Sequence, residues 1–83
     1  MPINFHTVSY PFTPSDLKKR IDYDGGSDPV YVGYAAPGTA DSAAAWQIQK
    51  ITYTGGLVSG IDFAGGTNDY NRVWDDRASY TYS

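Results

Sequence analysis

The sequence predicts a small all-β domain, an antiparallel sheet or barrel of four to five strands with an extended N-terminal arm and one short helix. Its apolar content consists of five Val, five Ile and thirteen aromatic residues but only two Leu, a mixture that favours pleated, half-buried surfaces. All nine acidic residues are Asp, which suits turns and caps better than helix bodies. Apolar and polar residues alternate through residues 44–83 and the alternation breaks at glycine pairs, as in a series of strands.

An extended arm is predicted at the N-terminus, with residues 1–28 as arm plus helix and residues 29–83 as the β domain. Phe5, Tyr10 and Phe12 lie close to prolines, which favour extended backbone at the preceding residue. So many aromatic side chains would promote non-specific association if they were exposed to solvent. We therefore expect the arm to lie on its own domain or on a neighbouring one.

The short helix is predicted to follow the arm. Thr13-Pro14-Ser15-Asp16 combines an N-cap hydroxyl, a proline at the first helical position and an early acid, the residues typical of a helix start. Leu17 and Ile21 would share one face, and Gly25-Gly26 would end the element.

Two elements follow with clear boundaries. Residues 30–35 predict a strand, and residues 46–63 predict a β-hairpin that turns at Thr54-Gly55-Gly56. The apolar phase changes within the first hairpin strand. This predicts a bulge near Gln49-Lys50, or alternatively a strand that packs on both faces.

The C-terminal region is less clear in its first part. Residues 70–74 fit one helical turn and a short strand equally well. Residues 77–83 predict the last strand, with Ala78, Tyr80 and Tyr82 on one face.

Size and charge exclude several function classes. The chain has 83 residues, a net charge of −3 and no cysteine, so no disulfide or thiolate metal site supports its small core. Six basic residues are too few to predict the basic surface patch of a nucleic-acid-binding protein. No apolar run is long enough to cross a membrane. We expect synthesis in the cytoplasm, no signal peptide, and stability gained by association with another chain.

Catalytic chemistry is not predicted. His6 is the single histidine and lies in the arm, so zinc is not expected and no nucleophile–base pair is evident. Asp75 and Asp76 are adjacent, and on a strand they would point to opposite faces. Residues 22–28 are similar to a calcium loop but lack its glutamate, which favours a solvated turn. No cofactor or metal is predicted.

The aromatic residues have two possible roles. Trp46, Trp74 and Tyr80 are expected to hold the fold, with Arg77 stacked near Trp74 and paired with Asp75 or Asp76. The alternative is that they form an exposed platform on which a carbohydrate stacks.

Three segments resemble small structural proteins of tailed bacteriophages. Residues 31–39, 45–51 and 73–83 carry the patterns Y-x-G-x-A-x-P-G-T, W-x-I-x-K-I and W-D-D-R-A-S-x-x-Y-S in that order. The resemblance covers about two-thirds of the chain, and it implies a virion or tail-associated assembly role without catalytic residues. The arm lies outside it.

These observations together predict a non-enzymatic virion protein that acts through homo-oligomeric or neighbour-subunit contacts. We expect Phe5, Tyr10 and Phe12 to make the subunit contacts. Two alternatives remain open: a carbohydrate-binding module on the phage particle, and a small acidic inhibitor of a host protein.

Overall fold

The structure is a computed structural model, and it describes residues 16–83. The predicted contact residues Phe5, Tyr10 and Phe12 lie outside the described residues, as do His6 and the first three residues of the predicted helix start, 13–15. The described part of the chain forms one antiparallel sheet covered on one side by its C-terminal segment.

Five strands make the sheet. They are β1 (Lys18–Asp22), β2 (Tyr31–Ala35), β3 (Ala44–Thr54), β4 (Leu57–Phe63) and β5 (Arg72–Val73), and a 3-10 helix follows at Trp74–Ser79. The spatial order is β1-β2-β3-β4, and β5 pairs with the first part of β3. The predicted all-β class is confirmed. The sheet is open and not a closed barrel, because β1 and β4 lie at opposite edges.

The predicted hairpin is confirmed as β3 and β4. Gly55 and Gly56 have φ values of 62° and 83° at the turn, a conformation that a two-residue hairpin turn requires and that glycine adopts without strain. The bulge prediction at Gln49-Lys50 is wrong. The register between the two strands shifts at Thr52/Tyr53 instead.

The helix predicted over residues 17–21 is wrong, because the chain forms strand β1 there. All five residues of β1 pair with β2, from Lys18 opposite Ala35 to Asp22 opposite Tyr31. So short a segment gains little as an isolated helix, whereas a complete ladder beside β2 satisfies its backbone groups. The sheet therefore begins before residue 29.

The strand predicted over residues 77–83 is wrong for its first part, and only residues 81–83 pair with residues 63–65. The 3-10 helix continues to Ser79, and Tyr82 makes a single bridge to Ala64. Local side-chain bonds favour the helical turn over a ladder: Ser79 Oγ donates to the Asp76 carbonyl at 2.6 Å, and Arg77 donates to the Trp74 carbonyl at 3.1 Å. For residues 70–74, the structure shows a two-residue strand that leads directly into the helix.

The core lies between the sheet and the C-terminal segment. Tyr31 and Ala35 from β2 and Trp46 and Ile48 from β3 are buried under Trp74. Gly33 stands between them in the sheet, and a Cβ atom at this position would lie 2.6 Å from Cε3 of Trp74. The close approach of the indole ring therefore requires glycine in the middle of β2.

We expect Gly33→Ala to lower the free energy of unfolding by about 1–3 kcal/mol, the usual cost of overpacking a core. Gly60→Ala is the matched control, since a Cβ atom added in strand β4 meets nothing within 4 Å. Urea denaturation followed by circular dichroism measures both variants. Equal stability of Gly33→Ala and the wild type would contradict the packing described.

Candidate functional site

The strand register gives the sheet two different faces. The covered face, under the 3-10 helix and the C-terminal segment, carries Tyr31, Gly33, Ala35, Trp46 and Ile48. The open face is the opposite one, and its strand positions are Lys19, Ile21, Val32, Tyr34, Gln47, Gln49, Ile51, Tyr53, Val58, Ile61 and Phe63.

The two tryptophans of the predicted platform lie in the core. Trp46 is fully buried and Trp74 is 5% exposed, with ring centroids 5.9 Å apart and planes tilted by 37°. The Trp46 indole donates to the Ala40 carbonyl at 2.9 Å. Tyr80 is half-buried, and its hydroxyl accepts a bond from the Val73 amide at 2.8 Å. Neither indole face is exposed for a sugar to stack on.

Arg77 connects three parts of the fold. Its guanidinium carbon lies 4.6 Å from the Trp74 ring centroid, which is the predicted stacking contact. Its carboxylate partner is Asp22 of β1, with Nε and Oδ2 2.7 Å apart, and not Asp75 or Asp76. Asp76 is exposed in the first turn of the 3-10 helix. The backbone N–H of Asp24 and the Arg77 side chain hold the pKa of Asp22 below its usual value.

A second cluster surrounds Tyr82. Its hydroxyl donates to the Arg77 carbonyl at 2.6 Å, and its ring centroid lies 5.7 Å from that of Tyr31. Lys50 Nζ lies within 6.0 Å of both rings. Burial, followed by the neighbouring Tyr31 and Tyr80, raises the pKa of Tyr82. The hydroxyl therefore stays protonated and donates a structural hydrogen bond at neutral pH.

Metal-ligating geometry is not found in the part of the chain that the structure describes. Among residues 16–83, no group of three or more His, Cys, Asp or Glu side chains is placed to hold a metal ion. In the loop similar to a calcium site, Asp22 accepts the Asp24 amide at 2.9 Å with one oxygen and faces Arg77 with the other. Asp24 has a φ of 50°. These features describe a tight turn between β1 and β2.

The open face exposes several large apolar side chains. Ile21, Val58 and Ile61 are 53%, 55% and 52% exposed. All three belong by register to the open face, Ile21 on edge strand β1 and the other two on edge strand β4. Val32 and Ile51 lie between them and are partly buried. Exposed apolar side chains that cluster on one face are typical of a contact surface.

One end of the open face forms a groove of about 380 Å³. Its walls come from the start of β1, the end of β2, the middle of β3, the end of β4 and the loop before β5; they include Leu17, Tyr34, Gln47, Gln49, Phe63 and Tyr70. Gln49 Nε2 donates to Gln47 Oε1, and Gln47 Nε2 donates to the Asn68 carbonyl, both at 3.0 Å. Lys19 Nζ lies 5.9 Å from the Tyr34 ring centroid. We call this the aromatic–amide groove.

Comparisons with protein-family models, with curated proteins and with solved structures each gave no match to this chain. Within residues 16–83, no helix has the length and apolar character needed to cross a membrane.

The groove is the feature that sequence reasoning missed. Gln47 and Gln49 alternate with the buried Trp46 and Ile48, so the alternation does indicate that both glutamines share the other face. Asn68 and Tyr70 come from a loop whose path no pattern predicts. The spacing therefore predicts the wall of the groove that β3 forms, but not the opposite wall that the loop forms.

The ion pair between Asp22 and Arg77 predicts a pH dependence. Because the pKa of Asp22 is lower in the folded state, its contribution to stability is present above the unfolded pKa of about 3.9 and is lost as pH falls through the folded pKa. Both side chains are about one-quarter exposed, so we expect Asp22→Asn to cost roughly 0.5–1 kcal/mol at pH 7. This difference should shrink at pH 3, measured by urea denaturation at both pH values.

Asp76→Asn is the control for the ion pair. Asp76 is exposed, and within residues 16–83 its carboxylate has no ion pair. We expect a change below ~0.5 kcal/mol at either pH, as for most surface substitutions. An Asp22→Asn effect of equal size at pH 3 and pH 7 would argue against the ion pair as its cause.

Proposed function

We propose that this protein is a non-enzymatic structural component of a bacteriophage particle that acts by contact with a second copy of itself or a neighbouring subunit. The observation that carries the proposal is the open face, where half-exposed Ile21, Val58 and Ile61 share one side of a small sheet. The three segments that resemble phage structural proteins support the assignment to a virion.

The energetics of the open face favour association. Full burial of an exposed Ile or Val side chain contributes about 1.5–3 kcal/mol of favourable free energy. Covering a half-exposed side chain therefore adds roughly 1 kcal/mol to the free energy of association. Several such side chains on each of two copies supply a useful fraction of the interaction free energy. A small domain without disulfides also gains stability from any partner that binds only its folded state.

The charge distribution favours a second copy as the partner. Among the described residues, the strand positions of the open face carry no carboxylate, although the chain has nine Asp residues. Asp22 and Asp62 pair opposite Tyr31 and Lys50 and so belong to the other face. Two open faces can therefore meet without the like-charge repulsion that a net charge of −3 would otherwise produce.

The arm completes the proposed contact surface. Phe5, Tyr10 and Phe12 remain our predicted subunit-contact residues. The buried positions of Trp46 and Trp74 favour this assembly role over the alternative in which those tryptophans stack on a carbohydrate.

Self-association is tested by light scattering coupled to size exclusion over a range of concentrations. We expect a defined oligomer for the wild type. For the double variant Ile21→Thr/Ile61→Thr we expect a dissociation constant at least tenfold higher, equivalent to a loss of about 1.4 kcal/mol of association free energy. Threonine keeps the β-branched shape that strands favour and removes apolar contact area.

Leu57→Thr is the matched control. Leu57 is the most exposed of the large apolar side chains, at 74%, but it pairs with Thr54 at the hairpin tip and belongs by register to the other face. Its substitution should leave the oligomer intact. A wild-type protein that is monomeric at every concentration would contradict self-association.

A further inference from the structure

We propose that strand β4 pairs edge to edge with β4 of a second copy, so that the two sheets join into one antiparallel sheet across a two-fold axis. This contact rests on the proposed function, because it names the atoms through which two copies join. The backbone groups on the outer side of an edge strand are unpaired, and they form hydrogen bonds readily with a strand of another chain.

The side of β4 that faces away from β3 has an unpaired stretch. Phe63 donates its N–H to the Ser83 carbonyl at 3.2 Å and accepts the Ser83 N–H at 3.1 Å, so the backbone groups of Phe63 point away from β3. Because backbone direction alternates along an antiparallel strand, the N–H and C=O of Ile61 point to the same outer side. The C-terminal segment pairs with β4 only at Phe63 and beyond, which leaves Ile61 uncovered.

The hairpin turn gives Val58 the same outward orientation. In a two-residue hairpin, the residues that flank the turn form a hydrogen-bonded pair, and here they are Thr54 and Leu57. The next pair, Tyr53 and Val58, is therefore not hydrogen-bonded, and the Val58 N–H and C=O point away from β3. Within residues 16–83, no backbone hydrogen bond uses these outward groups of Val58 or Ile61.

An extra residue in β4 makes a second copy the best-fitting partner. The pairing passes from Gly60 to Val58 while β3 advances by a single residue, so Ser59 is the bulged position. The outward positions Val58 and Ile61 are consequently three residues apart, whereas a regular strand presents such positions two apart. A second β4 in antiparallel orientation has the same spacing. Val58 of each copy then lies opposite Ile61 of the other, and each pair exchanges both of its N–H···O=C bonds.

The edge contact also covers apolar side chains. Val58 and Ile61 are 55% and 52% exposed, and both belong to the open face by register. Residues directly opposite on neighbouring strands have Cβ atoms ~4.5–5.5 Å apart, so each Val58 side chain packs against the Ile61 side chain of the other copy. The contact therefore combines backbone hydrogen bonds with burial of the side chains that carry the proposed function.

The charges on the two edge strands select β4 as the edge that pairs. The opposite edge strand, β1, carries basic side chains at three successive positions, 18–20, and lysine on an edge strand is a common protection against pairing. Residues 57–61 of β4 include no charged residue and no proline. Asp62 lies opposite Lys50 and faces the covered side. Since each sheet pairs through one edge, the contact closes after two copies and does not extend into a fibre.

NMR on a mixed sample tests the edge contact in the 83-residue chain. Equal amounts of ¹⁵N-labelled and unlabelled protein are combined at a concentration where light scattering shows the oligomer. In an isotope-filtered NOE experiment, we expect a cross-peak between the labelled amide of Ile61 and the amide proton of Val58 in the unlabelled copy. Stacking of two open faces through their side chains does not bring these two amides together.

The variant Ser59→Lys tests the same contact by charge. Ser59 is exposed, lies at the centre of the proposed pairing and is not an open-face position. Two lysines at this place repel each other, so we expect a dissociation constant about tenfold higher and loss of the cross-peak. Ser27→Lys is the matched control, because it adds the same charge in the exposed turn between β1 and β2 and should change neither measurement. Circular dichroism checks that both variants keep the fold.

The outcomes distinguish the edge contact from self-association itself. An oligomer without the cross-peak between Ile61 and Val58 would overturn the edge contact and leave the open-face contact standing. Unchanged association and an unchanged cross-peak in Ser59→Lys would also overturn it. A protein that is monomeric at every concentration would overturn both the edge contact and the proposed self-association.

Discussion

The packing of two tryptophans on one glycine is the contact on which the rest of the described fold depends. Trp74 approaches β2 closely because Gly33 has no side chain, and Trp46 lies beside it at the same place. The ring of Trp74 fixes the start of the 3-10 helix, which carries Arg77 to Asp22 on β1. Because Gly33 has no Cβ atom, Trp74 packs on the centre of the sheet, and the 3-10 helix that begins at Trp74 then links this C-terminal cover to the first edge strand.

This arrangement covers only one side of the sheet. The aromatic residues Tyr31, Trp46, Trp74 and Tyr82 all contribute to the covered face or its surroundings, and the described residues offer no comparable layer for the other face. A domain of this size has little stability to spare. Any molecule that covers the open face and binds only the folded state will add to the free energy of unfolding. This gain in free energy grows with the logarithm of the molecule's concentration once that concentration exceeds its dissociation constant.

The sequence predicted the elements whose signals are local. The glycine pair of the β3–β4 turn and the strand-forming stretch at residues 30–35 each act within a few residues, and both predictions are confirmed. The helix prediction at residues 17–21 failed because pairing with β2 outweighed local propensity. The C-terminal strand failed for the opposite reason, since the Asp76–Ser79 and Trp74–Arg77 bonds are local and were not visible as an apolar pattern. The groove is assembled from five separate segments, so no single stretch of sequence encodes it.

The two faces of the sheet place different demands on the sequence. The covered face and its cover carry the closely packed residues, which are Tyr31, Gly33, Ala35, Trp46, Ile48 and Trp74. Packing at that face tolerates few substitutions, because the interior is closely filled. Residues of the open face contribute less to the core, so substitutions there cost less stability. The covered face therefore constrains the identity of its residues through packing, whereas the open face imposes no such constraint on its own residues.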